Sequence, residues 1–121
     1  MGGLIFYKTA DLEKTKNFYI NELGFSVWLD QVGCCILKFD NLLLGFCQSN
    51  DPKDIDNQGM ITLFYDSKEE VDKVYEKLKN IAVCKPKENI GFRIYQFFAK
   101  DYESRMLEFQ YFHNKICPEN N

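Results

Sequence analysis

Along the chain, apolar residues alternate between two spacings. Residues 4–9 form a short β-prone run, and Asp11 follows as a helix N-cap whose carboxylate can accept the orphan amides of a first turn. Leu12, Tyr19 and Leu23, with Thr15 and Phe18 alongside, then recur at helical spacing up to Gly24, a residue suited to a left-handed helix end. Three β-type runs come next, at 25–30, 34–39 and 42–48, separated by Val32-Gly33 and Asp40-Asn41, both tight-turn pairs. They predict an antiparallel meander. The stretch 49–59 is polar, contains Pro52 and has no apolar period, so it reads as a linker.

The order then repeats. Residues 60–65 predict a strand, and Ser67 with Glu70 three residues later forms a capping box. Behind it Val71, Val74, Tyr75 and Leu78 make one apolar stripe at i, i+3, i+4, i+7. A short strand is expected at 82–84, then a polar loop containing Pro86, then strands at 94–99 and 105–112. The pattern is β-α-β-β-β twice, with a period of about 56 to 58 residues, visible as Phe6-Tyr7 against Phe64-Tyr65 and Tyr19 against Tyr75. We therefore expect one α+β domain over residues 1–121: repeat one 3–48, linker 49–58, repeat two 59–112 and a tail 113–121. Each repeat would bury its helix stripe on one sheet face and leave the other face free to line a cavity.

Composition narrows the function. The 121 residues carry a formal charge of −3, with Lys and Arg scattered, which argues against a nucleic-acid footprint. Aromatics make up 16%, including 11 Phe and 7 Tyr, enough large apolar surface to line a cavity as well as fill a core. No run approaches the roughly 18 apolar residues of a membrane span, and Met1-Gly2-Gly3-Leu4 is unlike a signal peptide, so a cytoplasmic protein is expected. The five cysteines, Cys34, Cys35, Cys47, Cys84 and Cys117, lack CxxC spacing and are expected as free thiols, with Cys34 and Cys35 on opposite faces of a strand.

Three segments carry a family resemblance. Asp11-Leu12-Glu13-Lys14-Thr15-Lys16-Asn17-Phe18-Tyr19 followed by Leu23-Gly24-Phe25, the helix Asp66-Ser67-Lys68-Glu69-Glu70-Val71-Asp72 through Leu78, and Lys100-Asp101 with Met106-Leu107-Glu108-Phe109 occur in that order. In this arrangement the chain resembles the vicinal oxygen chelate superfamily, which includes glyoxalase I, extradiol dioxygenases, fosfomycin-resistance enzymes and bleomycin-resistance binding proteins. The resemblance implies two βαβββ repeats forming a curved, cup-like mixed sheet with helices on the outside, and a homodimer. It also implies a divalent metal held by a residue from the first strand, one from the fifth and a carboxylate from the eighth.

Aligned on the helix caps, the first two of those positions are Leu4 and Met60, which are not ligands for a hard cation, and Glu108 alone survives. No cofactor is therefore expected. Strand alternation groups Leu4, Phe6, Lys8, Met60, Thr62, Phe64, Glu108 and Gln110 on inward faces, with Trp28, Phe46, Tyr95 and Phe98 as an aromatic wall. Glu108 could bind a cationic or hydrogen-bonding ligand group, act as a base, or pair with Lys8 or Arg93. Three functions stay open. The first is a metal-free protein that binds an aromatic or cationic small molecule. The second is a glyoxalase- or dioxygenase-like enzyme with a rearranged site centred on Glu108, and the third is a protein-interaction module.

Overall fold

A computed structural model of the chain describes residues 1–114; most of the expected tail, with Cys117, lies outside them. The chain divides into two units, Met1–Asn57 and Gln58–Asn121, each built as β-α-β-β-β.

In the first unit β1 (Ile5–Thr9), β2 (Ser26–Gln31), β3 (Cys34–Phe39) and β4 (Leu42–Gln48) form a sheet of order β1-β4-β3-β2. The β1–β4 pair is parallel and the other pairs are antiparallel. Helix α1 (Leu12–Asn21) starts at Asp11, whose Oδ1 accepts from the Lys14 amide at 3.1 Å. Its buried Tyr19 packs at 4.8 Å on Phe46 and edge-on at 5.5 Å to Phe25, so one aromatic joins the helix to β4 and to the chain leaving it. Gly24, at φ +84°, makes the turn between them. The hydroxyls of Thr9 and Thr15, both fully buried, satisfy one another at 2.7 Å and tie β1 to α1.

The linker does more than connect. Its Asp56 amide donates to the Lys8 carbonyl at 3.0 Å, and the Lys8 amide donates to Asp56 Oδ2 at 2.8 Å, so it covers part of the outer edge of β1.

In the second unit β5 (Met60–Tyr65), β6 (Lys87–Asn89), β7 (Ile94–Lys100) and β8 (Met106–Phe112) form a sheet of order β5-β8-β7-β6, with β5 and β8 parallel. Helix α2 (Lys68–Leu78) opens at Ser67, whose Oγ accepts from the Glu70 amide at 3.1 Å. Glu70 closes the cap by accepting from the Ser67 hydroxyl at 3.2 Å. Val71 and Leu78 are buried, and beneath the helix Phe97 and Phe109 stack at 4.8 Å. This core lies on one sheet face; the other face carries no helix.

Three sequence expectations are corrected. The sixth strand is Lys87–Asn89, inside the expected loop, while 82–84 contributes a bridge from Ala82 to Ala99 and an amide bond from Val83 to Phe98. Lys87-Glu88-Asn89 has no apolar residue to mark it as a strand; its pairing with β7 makes it one. Counted back from the helix N-caps Asp11 and Ser67, Phe6 is the counterpart of Thr62 and not of Phe64; their register partners are Gly45 and Glu108. Finally, Cys34 and Cys47 are not free thiols. They are joined in a disulfide, being register partners across β3 and β4 with Cα atoms 4.1 Å apart. Cys35 faces the helix side as a buried free thiol, where burial, then its hydrogen bond with Asp30, pushes it up to about 11.

The hairpin that delivers β8 is held by buried charge. Asp101 Oδ1 accepts from the amides of Glu103 and Arg105, both at 2.9 Å, while Arg105 Nη1 meets Asp101 Oδ2 at 3.2 Å and Glu103 Oε1 at 2.9 Å. Truncating Arg105 removes the cation shared by two buried carboxylates, a change that typically costs about 3–5 kcal/mol. Arg105→Ala should therefore lower the urea midpoint far more than Lys16→Ala, whose partner Asp30 is largely exposed and whose pair is screened by solvent.

Candidate functional site

The helix-free face of the second sheet is built by strand parity. Met60, Thr62 and Phe64 from β5, Glu108, Gln110 and Phe112 from β8, Ile94, Gln96 and Phe98 from β7 and Lys87 and Asn89 from β6 are register partners, or lie two residues apart, on one face. Ten residues of this unit line an open concavity of about 600 Å³, within the range of small-molecule sites. Its apolar wall comes from Met60, Phe92, Ile94, Phe98 and Phe112, and its polar floor from Gln96, Glu108 and Gln110.

Glu108 is the centre of that floor and only 7% exposed. Thr62 donates its hydroxyl to Oε1 at 2.8 Å, and Gln96 donates Nε2 to Oε2 at 2.7 Å. Behind Gln96 the chain continues: Asn89 Nδ2 donates to Gln96 Oε1 at 3.0 Å, and the Phe92 amide donates to Asn89 Oδ1 at 3.3 Å. Every donor in this series points toward the carboxylate. All of them are neutral, and no ion pair to Glu108 occurs among the described residues. Lys8 pairs instead with Asp54 at 3.2 Å, and Arg93 contacts Asn114 once that amide is oriented for hydrogen bonding.

The counterpart of the Thr62–Glu108 pair in the first unit is Phe6–Gly45. There the Phe6 ring lies across the glycine, and a Cβ on residue 45 would sit 2.3 Å from Phe6 Cδ1. One repeat thus holds a carboxylate under a hydroxyl, and the other holds an aromatic ring over bare backbone.

The remaining candidates separate. Leu4 and Trp28 line a second concavity of about 490 Å³ with Leu43 and the first three residues, and Trp28 stands at a bulge in β2. Phe6, Met60 and Phe64 are each about half exposed on the helix-free faces. Phe46 and Tyr95 do not stand on those faces. Phe46 is fully buried under α1, and Tyr95 lies on the α2 side, donating to Asp72 at 2.6 Å beneath Lys68. That bond holds the Tyr95 hydroxyl up at about 12. Gln96 and Asn89 were missed as site residues. Two-residue alternation from Phe98 would have brought Gln96 onto the face.

Metal chemistry of the kind the resemblance implies does not fit this donor set. Among the described residues no group of three or more His, Cys, Asp or Glu side chains is placed to hold a metal ion. Both oxygens of Glu108 already accept hydrogen bonds, and Leu4 and Met60 offer no hard oxygen or nitrogen ligand.

No protein-family model matches the sequence, and no curated protein matches it. Solved structures do. A glyoxalase/bleomycin resistance protein/dioxygenase from Nocardioides is similar with a TM-score of 0.73 at 17% identity, covering 98% of this chain and 87% of that one. A second of that description, from Alicyclobacillus acidocaldarius, gives 0.72 at 20% identity over 94% and 92%. A lactoylglutathione lyase from Agrobacterium tumefaciens gives 0.70 at 19% identity over 92% and 91%. The chain therefore has the α+β fold of the glyoxalase/bleomycin resistance/dioxygenase proteins, and at these identities the fold is what the likeness establishes.

Thr62→Val should cost about 1.5–3 kcal/mol by removing a donor from a buried carboxylate, and much less in a Glu108→Leu background. Chemical denaturation of the four proteins of this cycle measures the coupling. Equal costs in both backgrounds would mean that the two side chains do not depend on each other.

Proposed function

We propose that this is a metal-free small-molecule-binding protein of the glyoxalase/bleomycin-resistance type. Its site is the helix-free face of β5–β8, and its ligand has an aromatic or apolar body with a cationic or hydrogen-bond-donating end directed at Glu108. One observation carries the reading. A carboxylate that is 7% exposed at the floor of a largely apolar concavity accepts from two neutral donors and makes no ion pair among the described residues, although Lys87 belongs to the same lining. Burying an uncompensated charge is costly, and a positively charged ligand group would offset that cost. The apolar wall around it suits a flat or bulky body.

The rearranged-enzyme reading centred on Glu108 has less support. Thr62 and Gln96 fix both carboxylate oxygens as acceptors, which suits holding a ligand group better than shuttling a proton. A homodimer is supported by β2, an edge strand exposed along its whole length that presents Val27, Trp28 and Leu29. Light scattering should find twice the chain mass in dilute solution, and a stable monomer would contradict the dimer. A cytoplasmic location accords with the sequence, and no helix among the described residues is long and apolar enough to cross a membrane.

The direct test is Glu108→Gln with a thermal-shift screen of organic cations, neutral aromatics and divalent metals. The amide keeps one acceptor for Gln96, and the Thr62 hydroxyl can rotate to accept from the new NH₂, so the fold should persist within a few degrees. An organic cation at 100 times its Kd should stabilise the wild-type protein by about 2.7 kcal/mol, whereas divalent metals should not. In the variant, cation affinity should fall by about 1.5–3 kcal/mol. A melting point many degrees lower with affinity intact would make Glu108 a structural residue.

A further inference from the structure

We propose that Cys34 and Cys47 form an exchangeable dithiol–disulfide couple, a redox modification site for small thiols of the glutathione class on the helix-free face of the first sheet.

Two features separate this pair from a buried staple. The first is access. Strand parity puts both residues on the face opposite α1, and both are half-buried, so a small thiolate can reach a sulfur atom. The second is that the pair does not hold its own strands together. Six register partners from Cys34–Cys47 to Phe39–Leu42 join β3 to β4, and the Gln48 amide closes the ladder by donating to the Gly33 carbonyl at 2.8 Å. When the S–S bond opens, the ladder keeps the two thiols facing each other, so closure is an intramolecular step in a folded protein.

The neighbouring cysteine is kept apart. Cys35 follows Cys34 directly but faces α1, is 1% exposed and is held mainly protonated by burial and by Asp30. Alternation along the strand thus gives one half-buried couple beside one fully buried thiol.

The exchange balances with thiols alone. A glutathione thiolate attacks one cysteine sulfur and forms a mixed disulfide, and the other cysteine leaves as a thiolate that takes a proton from water. A second glutathione thiolate then attacks the mixed disulfide, releasing oxidised glutathione and the second cysteine thiolate. The protein gains two electrons and two protons, and two glutathione molecules lose them. In a reducing cytoplasm such a pair would shift with the thiol poise.

The experiment equilibrates the full chain in buffers of reduced and oxidised glutathione, quenches with acid, alkylates, and maps the cysteine peptides by mass spectrometry, with circular dichroism at each ratio. Cys34 and Cys47 should become alkylatable together along a single two-electron curve. The folded signal should stay constant, and returning to oxidised glutathione should restore the bond. In folded Cys34→Ser, oxidised glutathione should add one glutathione to Cys47, while Cys35→Ser should titrate as wild type. The proposal is overturned if the bond opens only together with loss of the folded signal, if Cys47 of the folded variant takes no glutathione, or if Cys35→Ser abolishes the couple. This outcome is independent of the Glu108 site, which lies in the other unit.

Discussion

The structure of the candidate site depends on one interaction, the double hydrogen bond that Thr62 and Gln96 make to the carboxylate of Glu108. A buried charge is costly to desolvate, and neutral donors return only part of that cost. Much of the second unit serves the arrangement. The parallel register of β5 on β8 sets Thr62 opposite Glu108, the antiparallel register of β7 brings Gln96 alongside, and β6 contributes Asn89 to orient the Gln96 amide. Further back, the Asp101–Glu103–Arg105 cluster fixes the turn from which β8 departs. A slip of one residue there would send Glu108 into the α2 core.

The two repeats use one backbone pattern for opposite purposes. At matching positions the second unit has a hydroxyl over a carboxylate, and the first has a phenyl ring over a glycine. Both solutions fill the same place on a helix-free sheet face. The second leaves a polar floor in a concavity, and the first closes that place with carbon. The disulfide lies on the same face of the first sheet, so that face is modified by chemistry of a different kind.

Much of this was legible in the sequence because it rests on local rules. Asp11 and Ser67 mark the helix starts through their own backbone contacts, and the stripe of Val71 and Leu78 needs only a helical period. Glu108 could be singled out as the surviving carboxylate, and two-residue alternation grouped it with Thr62. What was missed depends on pairing between strands. β6 has no apolar pattern, and Gln96 acts through a partner on β8. In the run Leu42-Leu43-Leu44-Gly45-Phe46 both faces are apolar, so the parity of Phe46 was ambiguous. Tyr95 was grouped with Phe98, although three residues along a strand reverse the face. The disulfide had a signal that was not followed. Counting outward from the two-residue Asp40-Asn41 turn pairs Phe39 with Leu42 and, at the far end, Cys34 with Cys47.

The central claim is that Glu108 gives the concavity a preference for positive charge. Titration calorimetry of the wild-type protein with two ligands of the same shape, benzyltrimethylammonium and its uncharged carbon isostere, isolates that charge. The account predicts that the ammonium binds at least about tenfold more tightly, the scale of one charge-assisted interaction, and that the difference shrinks as salt rises. Equal affinity for the two, or a preference for the neutral isostere at low salt, would contradict it.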